Sequence, residues 1–352
     1  MRPSPGSFSG HCKPIHNVWE AVMTSPNHDP FLVAAVQAAP VFLDREATID
    51  KACRLIAEAG AGGARLAVFP ECFVPTYPLW VWFIPPANTR ALRQLYTELL
   101  DNAVTIPSDT TERLCAAARD AGVAVVIGMN ERNVEASGST LFNTALCIGP
   151  DGRMLGRHRK IMPTVGERLV HGMGDGSTLD VYDLELGRVS CLICWENYMP
   201  LARYAMWAWG AEIHVAPTWD RGEPWTSTMR HTAKEGRVYV ISCCGAIHRD
   251  HIPDRFDFKN EFLPADLEWL NPGGSMIVDP DGKFVVEPVN AEERIIYGEI
   301  DPRQLRGPRF QLDVGGHYSR PDIFELTVNR EERPLIETVD DQYVIEEDLE
   351  EG

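Results

Sequence analysis

VSCLICWENYMP, residues 189–200, is the stretch whose reading decides the fold. Val189 to Ile193 is a short apolar run that turns polar within two residues at Cys194-Trp195-Glu196-Asn197, the pattern of a buried strand ending in a loop. The next residues, PLARYAMWAWG (200–210), set Leu201, Ala202, Ala205, Ala208 and Trp209 at helical spacing behind a proline suited to a first turn. Open α/β sheets hold their ligands at the carboxyl ends of strands, so chemistry is expected at Cys194.

Outward from this stretch, the same alternation of strand and helix recurs. FLVAAVQAA (31–39) reads as a strand, and Arg45 to Ala59 as a helix with Ile49, Ala52, Cys53, Ile56 and Ala57 on one face, stopped by Gly60, Gly62 and Gly63. ARLAVFPE gives a strand ending at Glu71, which Pro70 and Pro75 bracket. The aromatic run LWVWF (79–83) suits core or interface packing, or the lining of a pocket. Helices are expected over 88–102 and 109–121, and strands over 123–129 and 144–149; a turn at Pro150-Asp151-Gly152 then leads through a short strand into HRKIMPTVGER. Further strands are expected at 212–217, 238–245, 275–280 and 295–300, with a polar helix around 227–237 and a long polar-aromatic insert over 249–272. This order predicts a sheet covered by helices. With no Pro/Gly/Ser linker between 31 and 320 and no internal repeat, one domain is expected, preceded by an extension (1–30) with a short helix at most around Val18 to Met23.

Composition narrows the function. The 352 residues, 44% hydrophobic, suffice for one large core or two modest ones. No stretch approaches a membrane span and the opening residues lack the apolar segment of a signal peptide, so a soluble cytoplasmic protein is expected. A net charge of −18 repels nucleic acid and anionic membrane, which leaves small molecules as the easier ligands. Part of that charge is local: residues 331–352 hold ten acids and one arginine, a solvated tail or an interaction segment. The nine cysteines read mostly as buried reduced thiols. Cys191 and Cys194 form a C-x-x-C, but no second pair or nearby histidines complete a metal site, so no metal is expected.

A nucleophilic cysteine needs a cation or a base beside it. Glu71, Lys160 and Glu167 also lie in loops that follow strands, and no glycine-rich phosphate loop or H-E-x-x-H offers a competing chemistry. Trp195, Tyr198 and Trp219 either line a substrate pocket or pack the core, while His171 and His231 read as histidines with ordinary partners.

At these residues the sequence resembles the nitrilase superfamily, and within it the nitrilase branch proper. The match lies in FPECFVPTYP (69–78), HRKIMPTVGERLVHGMGDGS (158–177) and CWENYMPLARYAMWAWGAEIHVAPTWD (194–220), in the family's order, with Lys160 and Cys194 34 residues apart; GGHYSRPDIFEL (315–326) resembles the final family segment. The resemblance spans 31–328, which leaves 1–30 as an N-terminal extension and 329–352 as an acidic tail. It implies a four-layer α-β-β-α sandwich, with Cys194 as nucleophile, Glu71 as general base, Lys160 as electrophile stabiliser and Glu167 as a second, positioning glutamate. It implies no metal or organic cofactor, and subunits that pair through helix faces into larger or spiral homo-oligomers.

The implied reaction converts an organic nitrile and two waters to a carboxylic acid and ammonia through a thioimidate and a thioester, with amide as the product if the thiol leaves first. Lys160 would face the nitrogen where negative charge develops, and the Trp195 backbone N–H is a candidate oxyanion donor. The wording of the third block is most similar to nitrilases of aromatic nitriles and arylacetonitriles. Cyanide- or aliphatic-nitrile-degrading members share much of it, an amidase branch uses the same Cys/Lys/Glu set, and an inactive filament or scaffold member is the reading outside catalysis.

Overall fold

In Phe31–Gln37 (β1), Phe31, Val33 and Ala35 enter one apolar layer while Ala34 and Val36 enter another. That is the period of a strand buried on both faces. The computed structural model describes residues 29–334. The expected helix around Val18–Met23, most of the N-terminal extension and residues 335–352 of the acidic tail lie outside the described residues.

The strands continue with β2 (Ala64–Val68), β3 (Ala124–Asn133), β4 (Thr140–Ile148), β5 (Met154–Arg159), β6 (Val181–Leu184) and β7 (Gly187–Cys191). After these come β8 (Ile213–Thr218), β9 (Tyr239–Cys244), β10 (Ala246–His248), β11 (Trp269–Val278), β12 (Phe284–Asn290) and β13 (Arg294–Ile300). One sheet has the order β13-β1-β2-β3-β4-β5, the other β10-β11-β9-β8-β7-β6 with β12 paired to β11. Each sheet has three adjacent parallel strands, β1-β2-β3 and β7-β8-β9, with antiparallel neighbours outside them.

Parallel neighbours need crossovers, and helices supply them: α1 (Arg45–Ala61), α2 (Thr89–Asp101) and α3 (Asp109–Ala121) in the first half, α4 (Pro200–Ala208) and α5 (Glu223–Gly236) in the second. The short α6 (Phe258–Glu261) and α7 (Arg306–Gln311) follow. Ile49, Ala52 and Ile56 of α1 and Leu114 and Ala118 of α3 pack on the outer face of the first sheet. Ala205 and Met206 of α4 and Trp225 and Met229 of α5 pack on the outer face of the second. Between the sheets, Val33, Leu66 and Val126 meet Val189, Ile213 and Ile241. The layers are therefore α-β-β-α, as expected. No described helix is long and apolar enough to cross a membrane.

Several boundaries differ from expectation for identifiable reasons. β2 ends at Val68, because Pro70 has no N–H to continue a ladder, and Glu71 lies in the turn beyond it. α5 begins at Glu223, four residues before Ser227, with Pro224 in its first turn. The buried face of α4 carries Ala202, Arg203, Ala205, Met206 and Trp207, whereas Leu201 and Ala208 of the expected stripe are exposed; Arg203 turns inward to donate to the Asn197 carbonyl and to pair with Glu235. β12 escapes a hydrophobic scan because Glu287 and Pro288 interrupt it, as an edge strand permits. β6 and β10 are too short for a periodicity to register.

Most of the aromatic run 79–83 resolves as core, with Trp82 left exposed. Leu79, Trp80 and Val81 are buried, and Trp80 meets Phe42 and Phe258 edge-on. Phe256 and Phe258 come from the 249–272 insert, which thus closes over this end of the sandwich. Residues 329–334, the described start of the expected tail, run beside Asp175–Asp180, with Arg333 N–H donating to Asp175 and Arg330 paired to Asp180.

Candidate active site

Four loops at strand carboxyl ends meet above the inter-sheet core. Cys194 follows β7, in a left-handed conformation (φ 51°) that opens the single turn of 3-10 helix Cys194–Tyr198. A non-glycine residue held there carries about 1–3 kcal/mol of strain, and this kind of sharp strand-to-helix turn aims a nucleophile away from the backbone. The turn is pinned by Asn197, whose Nδ2 donates to the carbonyls of Leu192 and Cys194 at 2.9 Å each. Thr218, at the end of β8, donates to Cys194 Sγ at 3.4 Å.

The three charged residues singled out from the sequence come together as one buried cluster. Lys160 Nζ donates to Glu71 Oε1 and to Glu167 Oε2, both at 2.7 Å. Lys160 is fully buried, and the two carboxylates nearly so. The partner of Glu167 is thus Lys160, and not its neighbour Arg168, whose Nε donates to the Pro163 carbonyl. Glu167 is fully satisfied: Thr164 N–H adds a bond to Oε2 and the Tyr77 hydroxyl donates to Oε1 at 2.8 Å. Glu71 differs. Its Oε1 accepts from Lys160 and Asn143, and its buried Oε2 has no partner.

The electrostatics separate the two glutamates. Burial pushes the Glu71 carboxyl up to about 7, with Glu167 adding to the rise and Lys160 opposing it. Burial also opposes ionisation of Glu167, but Lys160, His171 and the bonds from Lys160 and Thr164 outweigh it and hold this group below the usual range. Burial disfavours the Lys160 charge, yet Glu71 and Glu167, with the Glu167 hydrogen bond, keep it firmly protonated. Cys194 is driven well above an ordinary thiol by burial and then by Glu71, with Lys160 and the Thr218 hydroxyl opposing. The resting cysteine is therefore a neutral thiol beside a carboxylate that can exchange a proton near neutral pH and an ammonium that cannot.

Glu71, Cys72, Phe73, Tyr77, Thr218 and Trp219 border a chamber of about 10 Å³, room for one water. Trp219 stacks on Tyr77, centroids 4.3 Å apart and planes within 6°. Trp195 and Tyr198 do not border this chamber. Both are more than one-third exposed and donate to Asp220 Oδ2, at 2.8 and 3.1 Å. His171 is buried with Nε2 against Asn130 Oδ1, its pKa lowered by burial to about 4, and His231 is exposed beside Glu235. The eight cysteines among the described residues are free, and no cluster there has the make-up of a metal site.

Sequence reasoning missed Asn143, Tyr77 and Thr218. Tyr77 and Thr218 stand inside the quoted blocks, and Asn143 stands in LFNTAL, where an amide in an otherwise apolar strand is itself a signal of a buried partner.

The model of the family described as carbon-nitrogen hydrolase matches residues 32–309. The chain is 43% identical over 310 residues to a protein of Sinorhizobium fredii named aliphatic nitrilase, covering 88% of this chain and 98% of that one. It is 39% identical over 316 residues to a bifunctional nitrilase/nitrile hydratase of Lupinus angustifolius, covering 88% and 89%. Among solved structures it resembles a nitrilase-superfamily protein of Saccharomyces cerevisiae, with a TM-score of 0.63 and 22% identity over 82% of this chain and 96% of that one.

Proposed function

The chain belongs to the carbon-nitrogen hydrolase family, in its nitrilase branch, and from that premise we propose that it hydrolyses an organic nitrile to a carboxylic acid and ammonia. Cys194 is the nucleophile in this reading. Its thiol proton passes to Glu71 as sulfur attacks the nitrile carbon, and the nitrogen takes up that proton as the thioimidate forms. Lys160 faces the nitrogen as negative charge develops there, aided by the Trp195 backbone N–H once an oxyanion forms. Glu71 next takes a proton from water, which adds to give a tetrahedral species. Glu71 passes that proton to the nitrogen and relays the hydroxyl proton after it, so ammonia leaves and the carboxylate is restored. A second water, deprotonated by Glu71, then converts the thioester to acid, and the proton returns to the Cys194 sulfur as it leaves. Expulsion of the thiol from the tetrahedral species releases amide instead, in line with the bifunctional name of the Lupinus relative.

One observation carries these roles: Glu71 has one oxygen committed to Lys160 and Asn143, the other unpartnered, and a pKa raised by burial to about 7. A base needs a free lone pair and a pKa near the working pH. Glu167 serves by fixing Lys160.

For the substrate we favour a short aliphatic nitrile over the arylacetonitriles that the motif wording resembles. The aliphatic nitrilase name of the Sinorhizobium relative supports this. Of the three aromatic residues singled out from the sequence, Trp219 is the one that stands with Glu71 and Tyr77. Assembly into homo-oligomers through helix faces is part of the proposal, with the exposed Leu201 of α4 on one such face. So is a reducing, cytoplasmic setting, supported by free thiols throughout the described residues.

The test is ammonia release from propionitrile, benzonitrile, phenylacetonitrile, cyanide and the matching amides, with wild type beside Cys194→Ala. Ammonia from nitriles that vanishes in the variant supports the proposal. Turnover of amides alone overturns it in favour of an amidase, and no turnover in a folded wild type favours a scaffold.

A further inference from the structure

Glu196 stands two residues after Cys194, and His158 two residues before Lys160. Neither touches the cluster of Lys160 with its two glutamates, yet both are buried and bonded to each other, His158 Nε2 to Glu196 Oε2 at 2.8 Å. The remaining bonds of Glu196 are more telling. Its Oε2 accepts the N–H of Ile193, the residue before the nucleophile, at 2.6 Å. Its Oε1 accepts the N–H of Ile161, the residue after the lysine, at 2.7 Å. One carboxylate thus holds both flanks of Lys160, at 158 and 161, and the approach to Cys194 at 193.

We propose that Glu196 and His158 are a positioning pair that sets Cys194 against Lys160 across the two sheets. β5, which ends in Arg159, is the edge of the first sheet, and β7, which ends in Cys191, belongs to the second. Beside this tie, only the Arg159 N–H bond to Thr178 Oγ1 at 3.1 Å and packing between the sheets bear on the distance between the two loops. A carboxylate accepting three donors in a buried site is a short, stiff link. The histidine completes it. Its Nδ1 lies 3.3 Å from the Thr178 carbonyl, an acceptor, so both ring nitrogens face acceptors. Burial opposes a charge on this ring, and the Glu196 charge and bond and the Thr178 carbonyl outweigh it. Thr178 precedes β6, so the ring spans the same gap a second time.

The inference rests on the nitrilase reading for its catalytic consequence, but its geometric content is separable. Glu196→Gln keeps the size of the side chain and puts an NH₂ against either the Ile161 or the Ile193 N–H, which must then part. His158→Leu removes the third donor, and His158→Gln supplies a donor in its place. Two readouts are taken on protein that retains the wild-type circular dichroism spectrum: kcat and KM on propionitrile, and the rate of iodoacetamide modification at Cys194, resolved by peptide mass spectrometry. A misplacement of about 1 Å is expected to lower kcat by roughly a hundredfold in Glu196→Gln with KM little changed, and to slow Cys194 modification about tenfold. His158→Leu should shift both in the same direction, and His158→Gln should recover most of what His158→Leu loses.

Wild-type kcat and modification rate in folded Glu196→Gln overturn the proposal. If that variant does not fold, equal behaviour of His158→Leu and His158→Gln overturns it instead. If wild type turns over no nitrile, the nitrilase reading fails, and the modification rates alone decide whether the pair positions Cys194.

Discussion

Asn143 Nδ2 donates to Glu71 Oε1 at 2.7 Å, so the amide and Lys160 share one oxygen and leave the other free. A donor to a carboxylate favours its charged form, and the Asn143 bond is among the influences that hold Glu71 down against burial. In Asn143→Leu, of similar size, the carboxyl pKa therefore rises further above about 7. If ionised Glu71 is the base, the acidic limb of kcat/KM for propionitrile moves to higher pH by roughly one unit. A pH–rate profile measures it. An unmoved limb would remove Asn143 from the site's electrostatics, and an acidic limb far from 7 in wild type would remove Glu71 as base.

Gly128 in β3 lies under the backbone of the Glu71 turn. A Cβ there would stand 2.9 Å from Glu71 Cα and 2.6 Å from Cys72 N, backbone atoms that cannot rotate away. Gly128→Ala is expected to lift the turn, with a stability cost of about 1–3 kcal/mol from overpacking and a kcat loss of roughly a hundredfold from the displaced base. Thermal unfolding and steady-state kinetics read the two separately. Wild-type kcat in this variant would show that the turn tolerates displacement.

The layers are legible because the apolar runs of β1 and β2 and the apolar stripe of α1 are local signals of burial. Cys194 and Glu71 are legible because each follows an apolar run, and Lys160 because it stands in the block HRKIMPTVGER that resembles the family. What connects them is not. Asn143 is opposed to Asn130 across β3–β4 and reaches Glu71 only through the fold, and Tyr77 reaches Glu167 over 90 residues of chain. A sequence offers no distance between such positions. The misread stripe on α4 has the same origin, since Arg203 turns inward for Glu235, 32 residues away on α5.

Lys160→Met leaves Glu71 and Glu167 buried together with no cation between them. Breaking one member out of such a cluster costs about 3–5 kcal/mol. Both carboxyls lose the partner that lowers their pKa, so in the variant both are raised above their unfolded values. The stability of a raised acid is fully present below its unfolded pKa and is lost as pH rises through the folded one. The gap in Tm between wild type and Lys160→Met should therefore be widest above pH 7 and narrow toward pH 5. A constant gap would mean the carboxylates are not coupled through Lys160.

His214 offers a second pH dependence of opposite sign. Asn197 Nδ2 is committed to two carbonyls, so its Oδ1 must accept from His214 Nε2, leaving Nδ1 to accept from the Ser190 hydroxyl. The ring is neutral and satisfied, and burial, followed by Arg203, lowers its pKa to about 3. A lowered base contributes stability above its unfolded value of about 6.5, and that stability is lost as pH falls toward the folded value. His214→Gln should flatten the loss of stability between pH 6.5 and 4 by up to about 1.4 kcal/mol per pH unit. Denaturant titrations at several pH values measure the slope, and an unchanged slope would assign the acid limb to other groups such as His171.

Trp219 bears on what the chamber admits. Its indole stacks flat on Tyr77, and the Tyr77 hydroxyl in turn holds Glu167 while accepting from Trp82. The ring therefore does two things: it fills space beside Glu71, and it braces a side chain that helps fix Lys160. Trp219→Ala separates them. Loss of the stack removes about 0.5–1.5 kcal/mol beyond area burial, too little to release a Tyr77 that keeps its bonds to Glu167 and Trp82. The space gained is that of an indole, enough for a phenyl ring. Turnover of propionitrile should then fall only a few-fold, while the ratio of kcat/KM for phenylacetonitrile to that for propionitrile rises by about tenfold, the order expected when pocket volume alone decides between apolar substrates. If instead both nitriles lose turnover equally, bracing of Tyr77 is the role of Trp219 and substrate size is set elsewhere. If wild type already prefers phenylacetonitrile, the aliphatic reading fails and Trp219 does not limit substrate size.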